Sequence, residues 1–274
     1  MRIVRFIDDK SQTRLGRIAL GDVPGEAELL EGELLGPLKP TGTKALIRKL
    51  LAPLVPVNVF CIGANYAEHV KESGHPMPTQ PVIFMKPTTA ITNPGDAVLI
   101  PKACVSGPEV DYEAELAIVI GKVCRDVSEA DALSYVLGYT AANDISARKW
   151  QKQGGGGQWI RGKSFDSFCP LGPSIVTAGN GADEIADPQA LKISTTLNGQ
   201  VMQNSTTGDM IFSVATIVSF ISRDTTLLPG TLILTGTPPG VGFARQPEVY
   251  LKPGDEVIVE LEKIGKLNNP VAAG

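Results

Sequence analysis

Histidine is the scarcest polar residue of this 274-residue chain, with only His69 and His75. Its four cysteines, Cys61, Cys104, Cys124 and Cys169, are scattered and form no C-x-x-C pair. Together these shortages leave little material for the usual nitrogen- and sulfur-ligated zinc sites, or for a redox dithiol. The thiols read as reduced, and any metal is expected among oxygens, which selects Mg²⁺, with Mn²⁺ or Ca²⁺ as substitutes. Positive charge is not in excess either: the formal net charge is −4 with no basic cluster, which speaks against a binder of nucleic-acid phosphates. No apolar run reaches membrane-spanning length, so no membrane partner is expected. The opening MRIVRFIDDKSQTRLG lacks the apolar centre of a signal peptide and the Arg/Ser-rich, acid-free character of a transit peptide. A soluble, cytoplasmic protein is expected, with the Asn204 sequon unglycosylated.

What is present is an ordinary globular composition, 43% apolar and 20% charged, able to bury a sizeable core. Arg2–Ile7 and Leu15–Leu20 read as a hairpin, and Thr43–Leu51 as a short helical run. The proline-spaced Pro53–Pro56 then separates a small N-terminal unit, residues 1–52, from a main domain, residues 53–274. In the main domain, Pro-Gly-Asp or Pro-Gly-Thr turns at Pro94, Pro229 and Pro253 each precede a β-branched or apolar run. Two helices stand out: Ala130–Leu137 capped by Ser128, and one capped by Ser213, with Val214, Ile217, Val218 and Ile221 on one face. Strands outnumber helices, so the fold class expected is α+β and β-rich.

Asp111-Tyr112-Glu113-Ala114-Glu115 leads into Leu116–Ile120, and the whole segment reads as one strand with Asp111, Glu113 and Glu115 on a shared face. On a solvated sheet such acids are only a polar stripe. Here the apolar continuation implies burial, where unpaired carboxylates are costly and a divalent cation would relieve them. Asp144, closing the strand-like Leu137–Ala142, supplies a third acid, and Lys163 a balancing charge. His69 and Glu72 are one helical turn apart, which fits either a surface ion pair or a carboxylate-oriented base. Gly157–Ser164 matches the phosphate-loop pattern G-x-x-x-x-G-K-S literally. It lacks the strand before and the helix after that such a loop needs, so nucleotide binding is rejected. The glycine run Gly154–Gly157 reads as a flap beside the site, and His75 as a loop residue without a catalytic role. Thr235–Gly240 reads as a turn leaving a strand, with N–H groups able to hold a carboxylate.

Four motifs occur in order: E-x-E at Glu113/Glu115, N-D-I-S-A-R at Asn143–Arg148, G-K-S-F-D at Gly162–Asp166 and T-G-T-P-P-G at Thr235–Gly240. On them the chain resembles the fumarylacetoacetate hydrolase family, over roughly Val57 to Val271, and within it the acylpyruvate hydrolase and oxaloacetate-handling branch. The resemblance implies that family's mixed β-sandwich/β-roll fold. It implies Mg²⁺ or Mn²⁺ on Glu113, Glu115 and Asp144, and a water-activating His69–Glu72 dyad on a mobile lid. It also implies substrate contacts at Arg148, Gln151, Thr235 and Lys86, a small α-keto acid as substrate, and a homodimer. The reaction expected first is hydrolysis of a C–C bond of an acylpyruvate, with Lys163 offsetting negative charge. Decarboxylation of oxaloacetate or keto–enol tautomerisation would use the same site. A non-catalytic protein with a structural Ca²⁺ is the alternative from another class.

Overall fold

Alternation of apolar and polar residues, the commonest pattern in this chain, produces strands throughout a computed structural model that describes residues 1–19, 23, 25–74, 76–153 and 157–274. Among the described residues the larger sheet runs, in pairing order, Leu38–Leu46, Glu26–Gly32, Thr13–Ile18, Arg2–Ile7, Cys169–Thr177, Val136–Asn143, Ala114–Ile120, Leu232–Leu234, Val59–Gly63 and Val82–Lys86. A five-stranded sheet of Gln200–Thr206, Lys192–Leu197, Glu256–Leu261, Gly265–Ala273 and Val98–Ile100 covers part of one face. The β-rich α+β expectation holds.

Ala114–Ile120 lies at the centre and is buried along its whole length. Its side chains divide by parity: Leu116, Ile118 and Ile120 join the cluster holding Val218, Ile193 and Val259, whereas Ala117 and Val119 face Cys61, Phe84 and Phe168. Glu115 shares the second parity, and Glu113, which immediately precedes the strand, is buried beside it. Val214–Ser222 closes the first cluster as the periodicity predicts, with Ser213 Oγ accepting from Thr216 N at 3.1 Å.

Three sequence expectations change. Thr43–Leu51 is not helical: it forms the strands Leu38–Leu46 and Lys49–Leu51. So short a segment gains little as an isolated helix, and pairing with Glu26–Gly32 and Arg2–Ile7 supplies more. The helix after Ser128 stops at Ala132 and passes through the 3₁₀ turn Leu133–Tyr135, because Val136 already belongs to the central sheet. The second hairpin strand is Thr13–Ile18, shifted toward the turn, while Leu20 lies outside the described residues. His75 and residues 154–156 of the glycine run also lie outside them. Residues 1–52 carry their own small cluster of Val4, Phe6, Ile18 and Ala27. Their first strand nonetheless pairs directly with Cys169–Thr177, and the buried Arg2 donates to Ser174 Oγ at 2.9 Å and to the Ile264 carbonyl at 2.6 Å.

Candidate metal centre

The strand expected to begin at Asp111 is split. Val110–Asp111 pairs with Ser146–Ala147, and a separate ladder starts at Ala114 opposite Asn143. Alternation does not carry across the break, so Asp111 leaves the acidic group. Its carboxylate accepts the N–H groups of Tyr112, Gly242 and Phe243 at 2.9, 2.8 and 3.0 Å, and Nε of Arg148 at 2.8 Å.

Glu113, Glu115 and Asp144 do converge. Each offers an oxygen within 4.8 Å of the others', and the residues are 5%, 1% and 0% exposed. Backbone geometry fixes them, since Asp144 N donates to the Glu113 carbonyl and Glu113 N to Asn143 Oδ1, both at 2.9 Å. Three buried cations surround the acids. Lys163 Nζ bridges Glu113 Oε2 and Asp144 Oδ2 at 2.8 and 2.7 Å. Arg148 Nη1 lies 2.6 Å from Glu113 Oε1, and Lys86 Nζ 2.6 Å from Asp144 Oδ1. Burial works against charge on Glu113, but Lys163 and Arg148 outweigh it and hold its carboxyl well below the ordinary range. Burial likewise opposes charge on Lys163, and Asp144 with Glu113 reverses the effect, raising it above the usual lysine range. Glu115 is the exception. Burial first, then the neighbouring Asp144 and Glu113, push its carboxyl far upward, and among the described residues its one hydrogen bond is from Gly236 N at 2.6 Å.

These residues fit a divalent cation. All three donors are hard oxygens, as Mg²⁺ or Mn²⁺ requires. Two features leave room for a cation. Among the described residues Glu115 has no ion-pair partner, and Asp144 Oδ1, though beside the Lys86 ammonium, has no hydrogen bond. The second follows from Lys86, whose ammonium donates to the carbonyls of Ile145, Lys163 and Phe168 at 3.1, 2.7 and 2.8 Å. Lys86 therefore gives Asp144 charge but no proton, and an accepting oxygen stays available.

A cavity of about 210 Å³ adjoins the group, bordered by Glu113, Glu115, Lys163 and Arg148 and by His69. His69 sits in the helix Ala67–Glu72 with Nδ1 2.8 Å from Glu72 Oε1. Glu72 is fixed in turn by the Gly240 N–H, 3.1 and 3.0 Å from its two oxygens. Gln151 meets Arg148 Nη1 at 3.1 Å and borders the cavity. Thr235 does not border it: its hydroxyl donates to the Leu116 carbonyl at 2.9 Å, and Thr237 stands in the wall instead. Ile160–Lys163, inside the false phosphate loop, is a 3₁₀ turn that delivers Lys163 to the acids. Sequence reasoning missed Asp111 as the anchor of Arg148, and Phe243, Trp159 and Lys152 as parts of the wall. Lys152 had a signal, since it follows Arg148 by one helical turn.

A β-rich fold that buries an oxygen-lined cation site beside an imidazole belongs with enzymes that act on small molecules. Residues 58–272 match the family model described as fumarylacetoacetate (FAA) hydrolase C-terminal, and the chain belongs to the fumarylacetoacetate hydrolase family. It is 49% identical over 228 residues to a Dictyostelium discoideum protein named fumarylacetoacetate hydrolase domain-containing protein 2 homolog, covering 81% of this chain and 74% of that one. It is 48% identical over 222 residues to a Bos taurus protein named oxaloacetate tautomerase FAHD2A, mitochondrial, covering 81% and 68%. Among solved structures, a 5-carboxymethyl-2-hydroxymuconate delta-isomerase from Mycobacterium smegmatis superimposes with a TM-score of 0.84 at 39% identity, covering all of both chains.

Proposed function

We propose that the protein is a divalent-cation-dependent enzyme that interconverts the keto and enol forms of oxaloacetate or a similar short α-keto acid. The observation carrying this reading is that one small cavity is bordered both by Glu113 and Glu115, two members of the carboxylate trio, and by His69, a chelating end and a base for the same molecule. Its volume lies below the roughly 300–1,000 Å³ of sites for drug-sized ligands. The name of the bovine relative supports the choice of reaction. Cleavage of an acylpyruvate, expected first from the sequence, becomes the second reading; it is favoured by the complete His69–Glu72 pair, which suits activation of water as well as of carbon. That pair also argues against a purely structural cation, which needs no base.

Glu113, Glu115 and Asp144 would hold the cation, which when bound would polarise the carbonyl next to the substrate carboxylate as a Lewis acid. The Nδ1 contact with Glu72 leaves Nε2 of His69 to take a proton from carbon 3 and deliver it to the oxygen on carbon 2, completing the enol, and to run the same transfer backwards to the keto form. Glu72 stabilises the imidazolium formed in that step, and the Gly240 N–H keeps Glu72 aimed. Lys163 faces the cavity and offsets the negative charge that develops on the substrate oxygen, at full strength because the site is buried.

The test follows enol–keto conversion of oxaloacetate by absorbance in Mg²⁺, with cleavage of acetylpyruvate and fumarylpyruvate in parallel, for wild type, Glu113→Gln and His69→Ala. Tautomerisation abolished in both variants supports the reading. Cleavage alone replaces it with the hydrolase, and loss of CO₂ alone with the decarboxylase. Silence on every compound removes it. The bovine relative is named mitochondrial, in contrast to the cytoplasmic placement expected for this chain; no helix among the described residues is long and apolar enough to cross a membrane. The homodimer remains an expectation that sedimentation velocity reads directly.

A further inference from the structure

The turn Thr235–Gly240 serves both halves of the site. Its Gly236 N–H donates to Glu115 of the trio, and its Gly240 N–H donates to Glu72, the partner of His69. The start of the turn is pinned to neighbouring segments. Thr235 Oγ1 donates to the Leu116 carbonyl at 2.9 Å, and Asn65 Nδ2 donates to the Thr235 carbonyl at 2.7 Å. At the other end the Gly240 carbonyl accepts from the Tyr112 hydroxyl and Arg245 Nε at 3.1 and 3.2 Å. Between these ends, Thr237 and Pro238 have a single hydrogen-bonding partner among the described residues, the side chain of Gln203.

Gln203 belongs to the strand Gln200–Thr206 and is only 1% exposed. Its Oε1 accepts from Ala114 N at 3.0 Å and from Thr195 Oγ1 at 2.7 Å. Its Nε2 donates to Thr237 Oγ1 and to the Pro238 carbonyl, both at 2.8 Å. The amide is thereby filled, with two bonds accepted and two donated. Two of the partners are backbone groups of fixed polarity, since an N–H only donates and a carbonyl only accepts, so the amide has one orientation. Ala114 stands between Glu113 and Glu115 in the chain. One buried side chain therefore ties the backbone between two members of the trio to the turn that serves Glu115 and Glu72. A network satisfied this completely holds one geometry, and its loss strands the buried Ala114 N–H and Pro238 carbonyl without partners.

We infer that Gln203 is a positioning residue shared by the cation site and the base. Its amide holds the middle of the turn so that the Gly236 N–H fixes Glu115 and the Gly240 N–H fixes Glu72. Gln203 does not border the cavity and acts only through these groups. The cation half of the inference stands on the geometry of the trio, and the kinetic half rests on the keto-acid reading above.

The test compares wild type with two variants. Gln203→Met keeps the length of the side chain and removes its four hydrogen bonds, whereas Thr195→Val removes one of them on the side away from the turn. Mg²⁺ affinity is read by titration calorimetry, the melting temperature by scanning calorimetry, and kcat with oxaloacetate at saturating Mg²⁺. Gln203→Met is expected to weaken Mg²⁺ binding about tenfold and to lower kcat about tenfold with KM kept. Thr195→Val is expected to lower the melting temperature and leave Mg²⁺ affinity and kcat at the wild-type values. Because the kinetic effect passes through Glu72, Gln203→Met should add little to the loss already caused by Glu72→Gln. An unchanged Mg²⁺ affinity in Gln203→Met overturns the inference, and so does an equal loss in Thr195→Val, which would mark a merely structural bond. Losses of kcat that multiply in the double variant overturn the link to the base. Should Gln203→Met not fold, Gln203→Glu carries the same expectation. It still accepts from Ala114 and Thr195, and its added negative charge would favour the cation, so a weaker affinity reports on the turn. If wild type turns over no keto acid, the tautomerase reading falls and Mg²⁺ affinity alone decides the inference.

Discussion

Lys86 gives its hydrogens to three backbone carbonyls and only its charge to Asp144. Removing that charge leaves Asp144 paired with Lys163 alone in a fully buried place. Lys86→Met is therefore expected to cost about 3–5 kcal/mol and to lower the melting temperature by roughly 10 °C. Scanning calorimetry of the chelator-treated protein checks this, and an unchanged melting temperature would refute it. His69→Ala should lower kcat by about 10²–10⁴-fold while the Mg²⁺ affinity measured by titration calorimetry stays at the wild-type value; a joint loss of both would make His69 part of the cation site. The two glutamates were legible in the sequence because E-x-E led straight into the apolar run of the buried strand Ala114–Ile120, where unpaired carboxylates are costly. Lys86 and Asp111 were not. Their partners stand 59 and 37 residues away, and no local pattern encodes which distant carbonyl or guanidinium arrives.

Elements obey local rules where packing agrees with them. Ser213 and its i, i+3, i+4, i+7 row made Val214–Ser222 readable, and Ser213→Ala is expected to cost about 1 kcal/mol, measured by urea denaturation. Thr43–Leu51 failed as a helix because partner strands decide a segment that short. The turn between Arg2–Ile7 and Thr13–Ile18 is held by Asp8, which accepts from Gln12 N, Lys10 N and Arg14 Nε at 2.8, 2.9 and 3.0 Å. The Gln12 amide foremost, with Arg14 and the Lys10 amide, outweighs burial and lowers the Asp8 carboxyl below its ordinary 3.8. A depressed folded-state value means this contribution is complete above the ordinary value and is lost as pH falls through the depressed one. The gap in melting temperature between wild type and Asp8→Asn should thus be widest near neutrality and close as the pH is taken down past the ordinary 3.8 and through the depressed value; a gap independent of pH would contradict it. Gly240 has φ +103°, and a Cβ there would sit 2.2 Å from the Met202 carbonyl oxygen. Gly240→Ala must displace the turn that aims Glu72, so kcat is expected to fall with cation affinity kept.

At the scale of the molecule, the four-motif order and the excess of strands were legible before any coordinates, because both follow from local composition. The junction between residues 1–52 and the rest was not, since Pro53–Pro56 reports only a bend. The pairing of Arg2–Ile7 with Cys169–Thr177 and the buried Arg2 tie the first strand to the main sheet. A fragment starting at residue 53 would expose that sheet edge, and it is expected to aggregate on expression, read by size-exclusion chromatography. A monodisperse, cation-binding fragment would show instead that residues 1–52 are dispensable. The contact between Glu72 and Gly240 has a wider meaning, because His69, Val70 and Ser73 on the same short segment also border the cavity. On the proposed reading, a swing of this segment to admit substrate would break the Glu72–Gly240 contact and unaim the imidazole, so an entry of that kind and proton transfer would exclude one another in time. Turnover then acquires a mechanical beat set by friction with the medium, and kcat should slow in proportion as the solution is thickened with sucrose.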